Sequence, residues 1–347
     1  FERWVGKAFH SGNKDLGNGR MNITVIGCGR WGSLIAWYLD RIGHRVTLYG
    51  RAGSAHMREF LSSRSNGLLT LPESVHLSVD LRQAAVSAEV LILSVPSQSL
   101  RGVMRELGPL DLRGRAFVLC MKGIEVESGK RLSQIAEEST HPSNGVAVWL
   151  GPGHVQEFYA GVPNCMVIDS RDEALKHRLV DAFSGELIRF YYGQDLIGNE
   201  IGGASKNVIG IAAGFLDGLH LGTLKGALMS RGTREISRLI EAMGGNPFSA
   251  YGLCHLGDYE ATLFSPHSHN RAFGECFVTG KPYEALAEGY YTAAALQTLE
   301  RQYGVELPIC DAVWRVLYRG SDARLELERL FHRTVKPELE GCGEGKS

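Results

Sequence analysis

The run Gly27-Cys28-Gly29-Arg30-Trp31-Gly32 follows directly on the apolar residues Ile23 to Ile26, and this arrangement restricts the fold of the chain more than any other feature. Three glycines at this spacing, between a β-branched run and a helical pattern, predict a strand-turn-helix unit that receives a dinucleotide. Gly27 permits the tight turn, Gly29 lets the backbone approach a pyrophosphate, and Gly32 lets the helix lie close on the strand. The start of such a helix offers free N–H donors and positive dipole potential to phosphates. Leu34, Ile35, Tyr38 and Leu39 recur at helical spacing up to Gly43, and Val46 to Tyr49 reads as the second strand.

Similar short apolar runs recur at Val90 to Val95, Phe117 to Cys120, Val146 to Leu150 and Cys165 to Ile168, as expected of buried parallel strands. From about Ile197 long amphipathic patterns replace them. Ile236, Leu239, Ile240 and Met243 share one helical face, which Gly244-Gly245 and Pro247 terminate, and helical patterns continue over Tyr283 to Tyr303 and Cys310 to Tyr318. The expected architecture is α/β, a Rossmann-type doubly wound sheet domain over 21–197 followed by an all-α domain over 198–336, with the active site in the cleft between them. Residues 1–20 read as a disordered or extraneous extension, and 337–347 as a flexible tail.

A formal net charge of −1 and the lack of long charged runs argue against nucleic acid or an anionic membrane as the main partner. No apolar stretch approaches the roughly 20 residues needed to span a bilayer, so a cytoplasmic enzyme with a small-molecule substrate is expected. The seven cysteines are scattered and form no C-x-x-C pair, which points to neither a disulfide framework nor structural zinc.

Nicotinamide dinucleotide sites selective for NAD usually place a carboxylate at the end of the second strand; here the strand ends Leu48-Tyr49-Gly50-Arg51. Arg51 can pair with a 2′-phosphate, favouring NADPH with NADH possible, the alternative being a solvated surface arginine. Gly202, Lys206, Gly210, Gly214 and Gly218 follow one another four residues apart on one helical face. Such a stripe implies close backbone approach or room for a ligand beside Lys206; the plainer alternative is a tight helix crossing with the lysine snorkelling to solvent. Lys122 follows a strand, as do the turns at Val95-Pro96-Ser97 and Gly151-Pro152-Gly153, and ligands of open α/β sheets bind outside strand carboxyl ends. Ser268, Asn270, Arg271 and a histidine bring together donors suited to a phosphate. His255, Asp258, His267 and His269 are alternative metal ligands, but without recognisable ligand spacing no metal is expected.

These motifs together resemble the NAD(P)-dependent glycerol-3-phosphate dehydrogenase family of the bacterial biosynthetic type. The resemblance is carried by the glycine fingerprint, Val95-Pro96-Ser97, Lys122-Gly123, Gly151-Pro152, Gly202-Gly203-Ala204-Ser205-Lys206-Asn207-Val208, Leu256-Gly257-Asp258, Asn270-Arg271 and Glu288-Gly289-Tyr290. It implies a helical domain like that of 6-phosphogluconate dehydrogenase, a homodimer, and reversible hydride transfer between the nicotinamide and C2 of dihydroxyacetone phosphate, supplying glycerol 3-phosphate for phospholipids. It also implies that Lys206 transfers the proton with Asp258 beside it. Substrate contacts fall on Lys122, Gly151, Gly153, Asn207, Ser268, His269 and Asn270. Cofactor contacts fall on Gly27, Gly29, Arg30, Trp31, Gly32, Arg51, Pro96, Lys122, Val155, His269 and Glu288. Three positions depart from the family pattern: Gly153 replaces a Ser or Thr, His269 an Arg, and His255 a Gly. The alternatives are a related two-domain reductase acting on another small substrate and a cofactor-binding protein that has lost catalysis.

Overall fold

The computed structural model describes residues 19–335, 337 and 338. All but two residues of the expected N-terminal extension, and all but two of the expected tail, lie outside the described residues. Eight strands form one sheet: β1 (Asn22–Ile26), β2 (Arg45–Tyr49), β3 (His76–Ser78), β4 (Val90–Leu93), β5 (Ala116–Leu119), β6 (Gly145–Leu150), β7 (Asn164–Ser170) and β8 (Ile188–Tyr192). Their spatial order is β3-β2-β1-β4-β5-β6-β7-β8, so the chain reverses its direction of travel across the sheet between β3 and β4. β1 pairs in parallel with both β2 and β4, which puts the fingerprint turn at the switch point where such folds bind ligands. Successive side chains feed opposite faces: Val90 and Ile92 enter one core, Leu91 and Leu93 the other.

One sequence expectation is corrected. The run Cys165 to Ile168 belongs to β7, which pairs antiparallel with β6 (Trp149 opposite Ile168), not in parallel. A parallel return needs a full crossover of a dozen or more residues, usually built on a substantial helix. The connection here contains only the five-residue helix Val155–Tyr159, so the chain comes back alongside the strand it has left. Both strands are buried, and burial leaves no trace of direction in an apolar run. The edge strands β3 and β8 escaped the sequence reading because β3 is three residues long and β8, Ile188-Arg189-Phe190-Tyr191-Tyr192, exposes three of its five residues.

The helical domain is built on Leu196–Gly218, a 23-residue helix buried along almost its whole length. Around it pack Lys225–Ala242, His269–Val278, Glu288–Tyr303 and Pro308–Arg319, and Ala323–Phe331 packs on Pro308–Arg319. The helical pattern expected from Tyr283 begins at Glu288 instead. Gly214 and Gly274 lie face to face: a Cβ on Gly214 would fall under 3.0 Å from the backbone of Arg271, Gly274 and Glu275. The stripe therefore allows two helix backbones to touch. Among the described residues no helix is long and apolar enough to cross a membrane.

Candidate active site

The cofactor side starts from the fingerprint turn. Gly27 has φ +114°, and a Cβ there would strike the carbonyl of Ser94; one on Gly32 would strike the carbonyl of Gly27. Gly29 differs, because nothing lies within 4 Å of where its Cβ would stand. It caps the helix Arg30–Arg41 with no side-chain hydrogen bond to the first turn, so open space and free N–H donors coincide. These features fit a bound pyrophosphate. Trp31 packs its ring 6.0 Å from that of Phe158. Arg51 is exposed just past β2, and the strand end Tyr49-Gly50-Arg51 itself contains no Asp or Glu. Pro96 is exposed on the loop after β4. Across the cleft, Glu288 accepts the Ser97 N–H (3.0 Å) and the Ser97 hydroxyl, and burial raises its carboxyl pKa.

The lysine centre lies where the two domains meet. Lys206 is 8 % exposed, so it does not reach out to solvent. Its Nζ lies 2.9 Å from Asp258 Oδ2 and donates to Thr262 Oγ1 at 2.8 Å, while the Thr262 hydroxyl donates to the Asp258 carbonyl at 2.6 Å. Lys122 Nζ reaches the same Asp258 Oδ2 at 2.6 Å and the Gly151 carbonyl at 2.6 Å. One carboxylate thus faces two ammonium groups. Burial pulls the Lys206 pKa down to about 8; Asp258 opposes that shift and the Lys122 charge adds to it. A lysine in this state exchanges protons near neutral pH, whereas an ordinary lysine does not.

A chain of amides fixes this centre against its neighbours. Asn207 Nδ2 donates to the Lys122 carbonyl (3.1 Å), Asn270 Nδ2 to Asn207 Oδ1 (3.0 Å), and the Gly289 N–H to Asn270 Oδ1 (2.9 Å). Ser268 caps the helix His269–Val278, its hydroxyl accepting the Arg271 N–H at 3.3 Å. The segment Glu260–Phe264 makes one π-helical turn, an irregularity common beside functional groups, and it carries Thr262 to Lys206.

Other candidates are engaged elsewhere. Arg271 binds Asp217 (2.9 Å), Glu275 (3.0 Å) and the Ser265 carbonyl, which ties it into a structural cluster. Val155 is buried in the sheet core. His255 is buried with Nδ1 at the Gly202 carbonyl (2.9 Å) and Nε2 at the Tyr259 hydroxyl (2.7 Å), and burial lowers its pKa to about 4. With both ring nitrogens occupied, it is a neutral packing group against Gly202. Gly153 has φ +138°, and the Phe158 ring fills the space a Cβ would need, which explains why no Ser or Thr stands there. His154 Nε2 meets the Ala261 carbonyl at 2.8 Å, a link between the domains. His269 contacts Arg30 and Tyr283. Thr262 and Tyr283 were not singled out from sequence: Thr262 follows Asp258 by four residues, a spacing that could have flagged it, whereas nothing local marks Tyr283.

Residues 22–176 match the family described as NAD-dependent glycerol-3-phosphate dehydrogenase N-terminus, and residues 195–328 match its C-terminus. The chain is 34 % identical over 338 residues to glycerol-3-phosphate dehydrogenase [NAD(P)+] of Chlorobium limicola, covering 92 % of this chain and 100 % of that protein. It is 36 % identical over 330 residues to a Salinibacter ruber protein of the same name, covering 91 % and 96 % respectively. Among solved structures, that of glycerol-3-phosphate dehydrogenase from Coxiella burnetii superposes with a TM-score of 0.85 at 27 % identity, covering 90 % of this chain and 99 % of that one.

Proposed function

The chain belongs to the NAD-dependent glycerol-3-phosphate dehydrogenase family and is an NAD(P)-dependent enzyme interconverting dihydroxyacetone phosphate and glycerol 3-phosphate; we propose that Lys206 carries the proton of this reaction. The observation that carries the proposal is the buried Lys206–Asp258 pair with Lys122 on the same carboxylate oxygen. The reduced nicotinamide, when bound, supplies the hydride to C2 of the substrate. As negative charge grows on the C2 oxygen, Lys206 donates its proton there and becomes neutral, a change that burial favours. Asp258, between the two lysines, keeps Lys206 in place, while Thr262 fixes the direction of its Nζ. In the oxidative direction neutral Lys206 takes the proton of the C2 hydroxyl.

The substrate phosphate is directed to the start of the helix His269–Val278, where Ser268 and Asn270 stand beside first-turn N–H groups. Lys122, at the end of β5, serves substrate and cofactor together. NADPH is the preferred donor on this reading, supported by exposed Arg51 where NAD-selective sites carry a carboxylate. The reading extends to a homodimer and to supply of glycerol 3-phosphate for phospholipids. The test is to follow oxidation of NADPH, and separately of NADH, by purified protein with dihydroxyacetone phosphate. Turnover with both, faster with NADPH, is expected; cofactor binding without turnover would overturn the catalytic reading.

A further inference from the structure

Arg30 and His269 face each other across the domain boundary, the first in the fingerprint and the second at the start of the helix His269–Val278. A guanidinium only donates, so His269 Nε2, against Arg30 Nη1, is an acceptor and carries no proton. The ring proton then sits on Nδ1 and is donated to the Tyr283 hydroxyl at 2.7 Å. Tyr283 thereby fixes the tautomer that presents a lone pair to Arg30. Burial and the Arg30 charge both hold the His269 pKa below its ordinary value. His269 is therefore neutral and cannot supply the permanent cation that an arginine at its position would.

Arg30 can. It is half-buried, and no carboxylate lies within ion-pair distance of it among the described residues. The contact with His269 uses one of its five N–H donors. It stands next to Gly29, beside which nothing fills the space a Cβ would take. A guanidinium without a counter-charge, held at the uncapped start of a twelve-residue helix, suits a phosphate or pyrophosphate oxygen.

We propose that Arg30 replaces position 269 as the cation at the phosphate end of this cleft, and that His269 and Tyr283 are positioning residues that orient it. The inference rests on the functional reading above for the identity of its ligands, and not for the existence of the cation site. The charged and titratable groups around the pair are Arg30 itself, Tyr283 and, behind Tyr283, Cys276; no carboxylate stands among them to raise the His269 pKa.

The experiment measures NADPH dissociation constants by fluorescence without turnover, and KM for dihydroxyacetone phosphate, in wild type, Arg30→Gln, Tyr283→Phe, His269→Gln and the Arg30→Gln/Tyr283→Phe double variant, each with its melting temperature. Arg30→Gln is expected to weaken one or both ligands by roughly ten- to a hundredfold, the worth of a charge-assisted contact. An effect on NADPH alone assigns the phosphate to the cofactor, and an effect on KM alone assigns it to the substrate. Tyr283→Phe is expected to weaken the same ligand several-fold, and to add nothing once Arg30 is gone. His269→Gln, which keeps a neutral acceptor, is expected to retain most of the affinity. Wild-type affinity is expected to stay flat from pH 6 to 8. An unchanged Arg30→Gln, additive effects in the double variant, or affinity that falls as pH rises through the histidine range would each overturn the proposal. Because NADPH binding is read without catalysis, a protein that binds but does not turn over fails the functional reading while leaving this one standing.

Discussion

Two glycine-rich stretches look alike in the sequence and act oppositely in the structure. In the fingerprint, Gly27 and Gly32 bring strand and helix together, while Gly29 leaves open space at an uncapped helix start. In the helix Leu196–Gly218, the spaces beside Gly202, Gly210, Gly214 and Gly218 are all filled, by His255, by Thr262 and by the helix His269–Val278. The first stretch leaves room for a ligand and the second for another helix. That second contact is also what builds the site. Close approach of the two helices puts Asn270 within reach of Asn207, while Gly202 against His255 and Gly210 against Thr262 bring the segment that carries Asp258 to Lys206. The same absence of side chain thus serves recognition in one domain and assembly in the other.

The sharpest test of the contrast is Lys206→Ala, which leaves both glycine contacts intact. Turnover should fall by about 10² to 10⁴-fold, the usual worth of a positioned acid-base group, with NADPH affinity nearly unchanged; single-turnover kinetics would detect it. Next comes Gly214→Val. Its side chain would meet backbone that cannot rotate away, so urea unfolding should register a loss of about 3 kcal/mol or more. A stable Gly214→Val protein would break the claim that this stripe is a helix contact.

The pH dependence separates the two directions of reaction. Lys206 titrates at about 8, and it must be charged to donate and neutral to accept. Reduction of dihydroxyacetone phosphate should therefore decline as pH rises through about 8, and oxidation of glycerol 3-phosphate should rise over the same interval; initial rates at saturating cofactor would show the crossing. Gly29→Ala has a smaller effect and inverts the Gly214 result. Stability should change by under about 1 kcal/mol, since the space is open, whereas the NADPH dissociation constant should rise about tenfold because the backbone loses its approach to the pyrophosphate. The smallest effect is expected from Arg51→Ala, which should reduce the preference for NADPH over NADH by about tenfold as one charge-assisted contact is lost.

Much of this was legible in the sequence because local chemistry dictated it. The fingerprint, the continuous apolar run that becomes the buried strand β4, and the helix stop at Gly244-Gly245 each follow from short-range sterics and periodicity. Lys122, Lys206 and Asp258 stood out as chemistry-bearing groups in small-residue or loop surroundings. What was not legible depended on distant partners. The antiparallel course of β7 follows from how little helix separates it from β6, and an apolar run has no direction. His269 stands where the family pattern has an Arg, and its hydrogen bonding is set by Arg30, far away in the chain, and by Tyr283 on an irregular connection. His255 and Gly153 looked like losses from the site; packing against Gly202 and Phe158 accounts for both.

The sequence by itself therefore determined the strand-turn-helix at Gly27 to Gly32 and the two-domain order, and it singled out Lys206 as a candidate on its small-residue face, since each is written in neighbouring residues. Only the tertiary structure decided that Lys122 and Lys206 share one carboxylate oxygen, that the glycine stripe receives a helix, and that Arg30 meets His269 across the cleft. Charge state and packing are set by what surrounds a group in space, and those surroundings come from residues that only folding brings together.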